Sequence, residues 1–142
     1  SGLSAWIAEQ FSVFDSFPPF AIAMVVSVII AGFTEVTSNT ATATIFLPIL
    51  ASLGTSIGVN PLFLMLPATV ACSFAFMLPV ATPPNAIAFA YEKVTVMDMV
   101  KTGFVLNVVC VLVANASINT LGMWIFDVGT FPEWAYANTT AV

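Results

Sequence analysis

Residues 34–44 read Thr-Glu-Val-Thr-Ser-Asn-Thr-Ala-Thr-Ala-Thr, eight polar residues in eleven, with apolar sequence on both sides. The upstream arm, Phe20 to Ala31, carries no charge, and the downstream arm, Ile45 to Leu53, is nearly as apolar. An α-helix rises about 1.5 Å per residue, so an arm of this length reaches about 18 Å. The hydrocarbon core of a bilayer is about 30 Å thick and takes roughly 20 helical residues to cross. Neither arm crosses alone. The simplest geometry is a hairpin that dips in, turns on its polar tip and leaves by the same face. A single tilted helix with a polar stripe is the competing geometry, but a stripe recurs every third or fourth residue and these polar residues are consecutive. Non-helical backbone at such depth survives only where protein or a water-filled cavity surrounds it, so the tip is a candidate binding site.

The membrane setting follows from composition. Of the 142 residues, 60% are apolar and 6% charged, against about a quarter charged in soluble domains. So few charges cannot cover the surface of a soluble fold of this size. The net charge of −5 is small and dispersed, which points to no nucleic-acid partner. There is no histidine, and most hydrolytic mechanisms lose their commonest general base and metal ligand with it. Cys72 and Cys110 lie inside apolar segments and read as small buried hydrophobes. The opening Ser-Gly-Leu-Ser has neither an initiator Met nor a basic stretch. The expectation is a chain without a signal peptide that begins partway through a longer protein.

Taken in order, residues 1–19 form an amphipathic segment, either an interfacial helix with Trp6 at headgroup depth or a connecting loop. The hairpin occupies residues 20–57, and Gly54, Gly58 and Asn60-Pro61 mark a turn after it. Residues 61–92 contain Leu62 to Ala81, long enough to cross, followed by Thr82-Pro83-Pro84-Asn85 and a renewed apolar run. Adjacent prolines lack N–H groups and push the preceding residue out of the α region. That predicts a discontinuous membrane helix broken at Pro83, rather than one ending in a surface loop. Residues 93–101 hold both lysines, Lys93 and Lys101, and by the positive-inside rule form a cytoplasmic loop. Residues 102–126 are the last spanning helix. Its Asn107, Asn115 and Asn119 share a face, for lining a pathway or for bonding between helices. Residues 127–142 are an extracellular tail, where Asn138-Thr139-Thr140 fits the N-glycosylation pattern. The fold class is all-α.

The two interruptions suggest a chemistry. Free carbonyls and hydroxyls at a broken helix suit a small hard cation, while amide and hydroxyl donors suit an anion. Paired discontinuous helices at the midplane are an arrangement transporters use to bind both. Ser38, Asn39, Thr40 and Asn85 supply neutral donors and acceptors. Glu35 is the one carboxylate in the apolar region, for bracing the tip or for coordinating an ion. Without a histidine or a second nearby carboxylate, no general acid/base pair is in view, and an enzyme is not expected.

Ser38-Asn39-Thr40 in a hairpin, followed by Met77-Leu78-Pro79-Val80-Ala81-Thr82-Pro83-Pro84-Asn85-Ala86-Ile87, resembles the divalent anion:sodium symporter family. These are sodium-coupled carriers of di- and tricarboxylates and sulfate. Val100-Lys101-Thr102-Gly103 and Phe131-Pro132-Glu133-Trp134 resemble the animal members, and the likeness runs from about Gly2 to Trp134. It implies the second of two inverted repeats of an elevator-type carrier. The implied partners are the first repeat, a second copy in a homodimer and the lipid bilayer. It implies a succinate- or citrate-like substrate touched by Ser38, Asn39, Thr40 and Pro83. It implies Na+ as co-transported ion, held by Thr34, Thr37, Asn39 and Ala81, several through backbone oxygen, with Thr82, Pro84 and Asn85 supporting the loop. The implied location is the plasma membrane. A sodium-independent exchanger and a sulfate carrier are the alternatives within the family, and a channel or structural subunit lies outside it.

Overall fold

The computed structural model describes residues 17–91 and 93–137. The segment up to Ser16, Glu92 and the sequon at Asn138 therefore lie outside the described residues. All regular elements among the described residues are helical. They are α1 (Pro19–Thr34), α2 (Asn39–Ser56), α3 (Pro61–Ala71), α4 (Pro83–Phe89), α5 (Val96–Ile125) and a short α6 (Glu133–Ala137).

Each boundary has a local cause. Pro19 occupies the first position of α1, where its missing N–H is unneeded. The chain reverses over 35–38, and Ser38 caps α2 by accepting from the Ala41 N–H. The polar stretch is thus divided, with only four residues turning and 39–44 forming the first turns of a helix. Thr42 and Thr44 fit there because their hydroxyls donate to the carbonyls of Ser38 and Thr40, four residues back. After α2, Gly58 adopts φ +68°, the left-handed conformation that favours glycine at a helix end. Gly54 lets α3 come close, since a Cβ there would lie 2.8 Å from the Pro61 Cα.

Two elements differ from the sequence expectation. The first is the helix predicted over Leu62–Ala81, which stops at Ala71, and the interruption spans 72–82. Pro83 and Pro84 do not break a helix but start α4. Helix α3 ends early because the backbone groups beyond it have better partners elsewhere. The N–H groups of Phe76 and Met77 donate to the Glu35 carboxylate, and the Asn85 amide donates to the carbonyls of Ala75 and Leu78. Buried backbone groups must be paired somewhere, and here side chains do it. The second is the stretch 93–101 predicted as a loop, which is helical from Val96 because Thr95 and Asp98 form a reciprocal capping box. Helix α5 therefore begins six residues before Thr102 and runs 30 residues, long and apolar enough to cross a membrane.

The core forms where α1, α3 and α5 meet. Ala23, Ser27 and Ala31 make a small-residue stripe on α1 that allows close approach to its neighbours. Ser27 accepts from the buried Asn115 amide of α5 at 3.2 Å. Asn107 likewise bonds across helices, to Glu35, whereas Asn119 donates to the carbonyl of Asn115 in its own helix. At the opposite end Asn60 caps α3, its Oδ1 accepting from Leu62 and its Nδ2 donating to the Thr130 carbonyl. Asn60→Ala removes a cap and a buried tie, each worth about 1 kcal/mol. The expected loss is about 2 kcal/mol, read as a lower unfolding midpoint in detergent. Asn60→Asp, which keeps the cap, is expected to lose about half as much.

Candidate functional site

The turn at 35–38 and the interruption at 72–82 face one another. Between them lies a cavity of about 480 Å³ lined by Glu35, Val36, Thr37, Ser38, Leu78, Val80 and Ala81. Of the residues expected at the site, Thr37, Ser38 and Ala81 line this space directly. Asn39 and Thr40 follow Ser38 on the first turn of α2, half-buried and exposed respectively. Thr34 closes the end of α1 and is fully buried. Pro83 and Pro84 are exposed at the start of α4, beyond the lining residues, and Thr82 precedes them half-buried.

The tip is held by a chain of hydroxyl bonds. Thr37 Oγ1 donates to the Phe33 carbonyl at 2.9 Å and lies 2.7 Å from Thr42 Oγ1, so its side chain is committed to the tip itself. Thr34 Oγ1 lies 2.7 Å from the Cys72 carbonyl and 2.8 Å from Asn39 Oδ1. A hydroxyl has one proton, and it can serve only one of these two acceptors at a time. Three oxygens from three segments thus converge on one proton. Cys72 O is a participant that the sequence does not advertise, because a backbone carbonyl is exposed to such use only where its helix stops.

Glu35 is the centre of a second set of bonds. It is 4% exposed, and its Oε1 accepts from Phe76 N at 2.8 Å, Met77 N at 3.1 Å and Asn107 Nδ2 at 2.8 Å. Its Oε2 accepts from Met77 N at 3.1 Å. A buried carboxylate is tolerable when several N–H groups surround it. Of the two roles open to Glu35, bracing is the one these bonds perform, since three N–H donors converge on its Oε1. Asn85, with its two carbonyl acceptors, holds the same loop from the other side. The site's geometry also depends on Gly103 of α5, named in the sequence only as part of a motif and given no role there: a Cβ at this position would lie 2.5 Å from the Phe76 carbonyl carbon and oxygen.

Chemically, the arrangement offers neutral oxygens and N–H groups around a small partly open space, with no described carboxylate left without donors near it. That suits a cation beside an anion better than bond-breaking chemistry. Comparison with known proteins places the chain among relatives. A family model described as the sodium:sulfate symporter transmembrane region matches residues 1–128. The chain is 52% identical, over 99% of its length, to human solute carrier family 13 member 2. It is 51% identical over its whole length to the mouse Na(+)/dicarboxylate cotransporter 3. It is 52% identical over 95% of its length to the rat Na(+)/citrate cotransporter. In each case it spans about a quarter (24%) of the relative's own length.

Proposed function

The chain belongs to the sodium:sulfate symporter transmembrane family, and from that premise we propose that it forms part of a sodium-coupled carrier of di- and tricarboxylate anions. The observation that carries this reading is the meeting of two helix interruptions at one cavity. It occurs in a chain half-identical to proteins named for sodium/dicarboxylate and sodium/citrate cotransport.

In this reading Ser38, Asn39 and Thr40 take the substrate carboxylate, with Pro83 against it. Sodium sits among Thr34, Asn39, Ala81 and the backbone oxygen of Thr37. The hydrogen bonding supports these assignments. A cation drawing a lone pair from Thr34 Oγ1 and one from Asn39 Oδ1 leaves the hydroxyl proton on the Cys72 carbonyl, so both oxygens are used without an orphaned donor. Thr37 offers only its backbone because its hydroxyl is engaged elsewhere. Thr82, Pro84 and Asn85 support the loop, Asn85 through its two carbonyl bonds. Neutral groups let an anion bind when the site is assembled and leave when it opens.

The membrane placement belongs to the same proposal. Helix α1, with 16 residues, is about 24 Å long and shorter than the hydrocarbon core. With α2 it forms a re-entrant hairpin, α3 and α4 form a discontinuous helix, and α5 crosses. The C-terminus is outside the cell, and the whole protein works as a homodimer by an elevator movement, with the first repeat completing the site.

The test is uptake of labelled succinate and citrate by the full-length protein in cells, with external sodium replaced by choline. Uptake is expected to fall to near background. Uptake undiminished in choline would mark an ion-independent exchanger. Uptake of sulfate in place of dicarboxylate would mark a sulfate carrier, and flux that does not saturate with substrate would mark a channel.

A further inference from the structure

The loop wall of the cavity is fixed from a helix that contributes nothing to its lining. Among the described residues, those lining the cavity come from the tip and from 78–81, and none comes from α5. Yet α5 meets the loop two residues before Leu78, at the Phe76–Met77 peptide. Gly103 is the point of contact, since a Cβ there would lie 2.5 Å from the Phe76 carbonyl carbon and oxygen and 2.7 Å from the Met77 Cα. Asn107, one turn further along, donates to Glu35 Oε1 at 2.8 Å. That same oxygen accepts the N–H groups of Phe76 and Met77. One peptide is therefore pressed against α5 at its carbonyl and held by Glu35 at its N–H, while α5 also holds Glu35. Asn107 Oδ1 is buried without a hydrogen-bond partner among the described residues. Its amide is thus oriented by the carboxylate rather than by a general network.

We propose that Gly103 and Asn107 are positioning residues for the transport site, setting the seat of the 76–81 backbone and through it the affinity for sodium and anion. The proposal rests on the carrier reading above. Any side chain at position 103 has to displace backbone by roughly 1 Å to reach ordinary contact distance, and a misplacement of that size in a binding constellation can cost on the order of a hundredfold. Asn107 acts at one remove, by aiming the carboxylate that holds the N–H groups. Its loss leaves Glu35 tied to the loop but no longer to α5.

Four full-length variants test this: Gly103→Ala, Asn107→Ala, Asn107→Asp, and Asn107→Asp combined with Glu35→Gln. Two readouts are taken, hydrogen exchange of the 72–82 backbone in purified protein and the sodium and succinate dependence of uptake per surface copy. The first three variants are expected to exchange faster at Phe76 and Met77. Their half-saturating sodium and succinate concentrations should rise about tenfold or more, with the maximal rate changed much less. Asn107→Asp sets two carboxylates against each other. Adding Glu35→Gln leaves a single charge, and the glutamine oxygen in the place of Oε1 still accepts from Phe76 and Met77. The double variant is expected to regain protection and affinity towards wild type. Unchanged exchange at 76–77 overturns the proposal, and so does accelerated exchange with unchanged half-saturation. If wild-type uptake itself proves independent of sodium, the carrier reading falls, and exchange alone then decides whether α5 seats the loop.

Discussion

Replacing Glu35 with alanine is expected to abolish uptake and to deplete folded protein at the cell surface. The change strips the acceptor from three N–H donors at once, those of Phe76, Met77 and the Asn107 side chain. A buried donor left unsatisfied costs about 1–3 kcal/mol, so three cost about 3–9 kcal/mol, at least as much as breaking a buried pair. Total stabilities are only about 5–15 kcal/mol, and a loss of that size is visible as retention inside the cell. Glu35→Gln separates the two effects. A glutamine oxygen in the place of Oε1 still accepts from Phe76, Met77 and Asn107, while its amide replaces the oxygen that shares the Met77 N–H. Surface amount is expected to recover largely and uptake only in part. Surface biotinylation beside labelled-succinate uptake checks both, and normal surface levels of Glu35→Ala would refute the bracing role.

Asn39→Ala is expected to give the opposite pattern, normal surface amount with little transport. Its side chain is half-buried and its oxygen shares the Thr34 proton with the Cys72 carbonyl. Removing it leaves that proton fully bonded to the remaining acceptor, so folding loses little. Transport loses an oxygen for the cation or a donor for the anion. Hydrogen bonds to charged groups contribute about 1.5–3 kcal/mol, so uptake at subsaturating substrate should fall about 10- to 100-fold. Thr40→Ala, at the exposed neighbouring position, is expected to cost about tenfold, and Thr40→Ser much less. Full uptake by both alanine variants would remove the tip from the substrate site.

The contrast between these two residues shows what was legible in the sequence. The tip could be read because its polar residues are consecutive between apolar arms, an arrangement with few physical outcomes. Its extent could not. The threonines at 42 and 44 turn their hydroxyls onto their own helix, and composition does not distinguish such a helix from a loop. The discontinuity after α3 was visible in Pro79, Pro83 and Pro84, but its start was not. Helix α3 ends because a carboxylate 41 residues earlier in the chain takes the Phe76 N–H, and no local signal at Cys72 announces that. The onset of α5 was written in Thr95 and Asp98, yet the neighbouring lysines read as a loop. Gly103 carries no signal of its own; only the backbone pressed against it gives it meaning.

Helix α5 includes one wide turn, a π-helical segment over Ile118–Gly122. The buried residues before it, Gly103, Asn107, Val111 and Asn115, are spaced by four. Four residues overshoot a full revolution of 3.6 by about 40°, so this seam slides around the helix by about 120° over three steps. Left alone, it would soon point away from α1 and α3. The wide turn takes up an extra residue and winds the seam back towards its starting direction, and Ile118 and Gly122 within it are buried. The insertion therefore acts as a phase correction. Deleting one residue there is expected to leave a regular helix with its far end unturned, because the wide turn is what absorbs that residue.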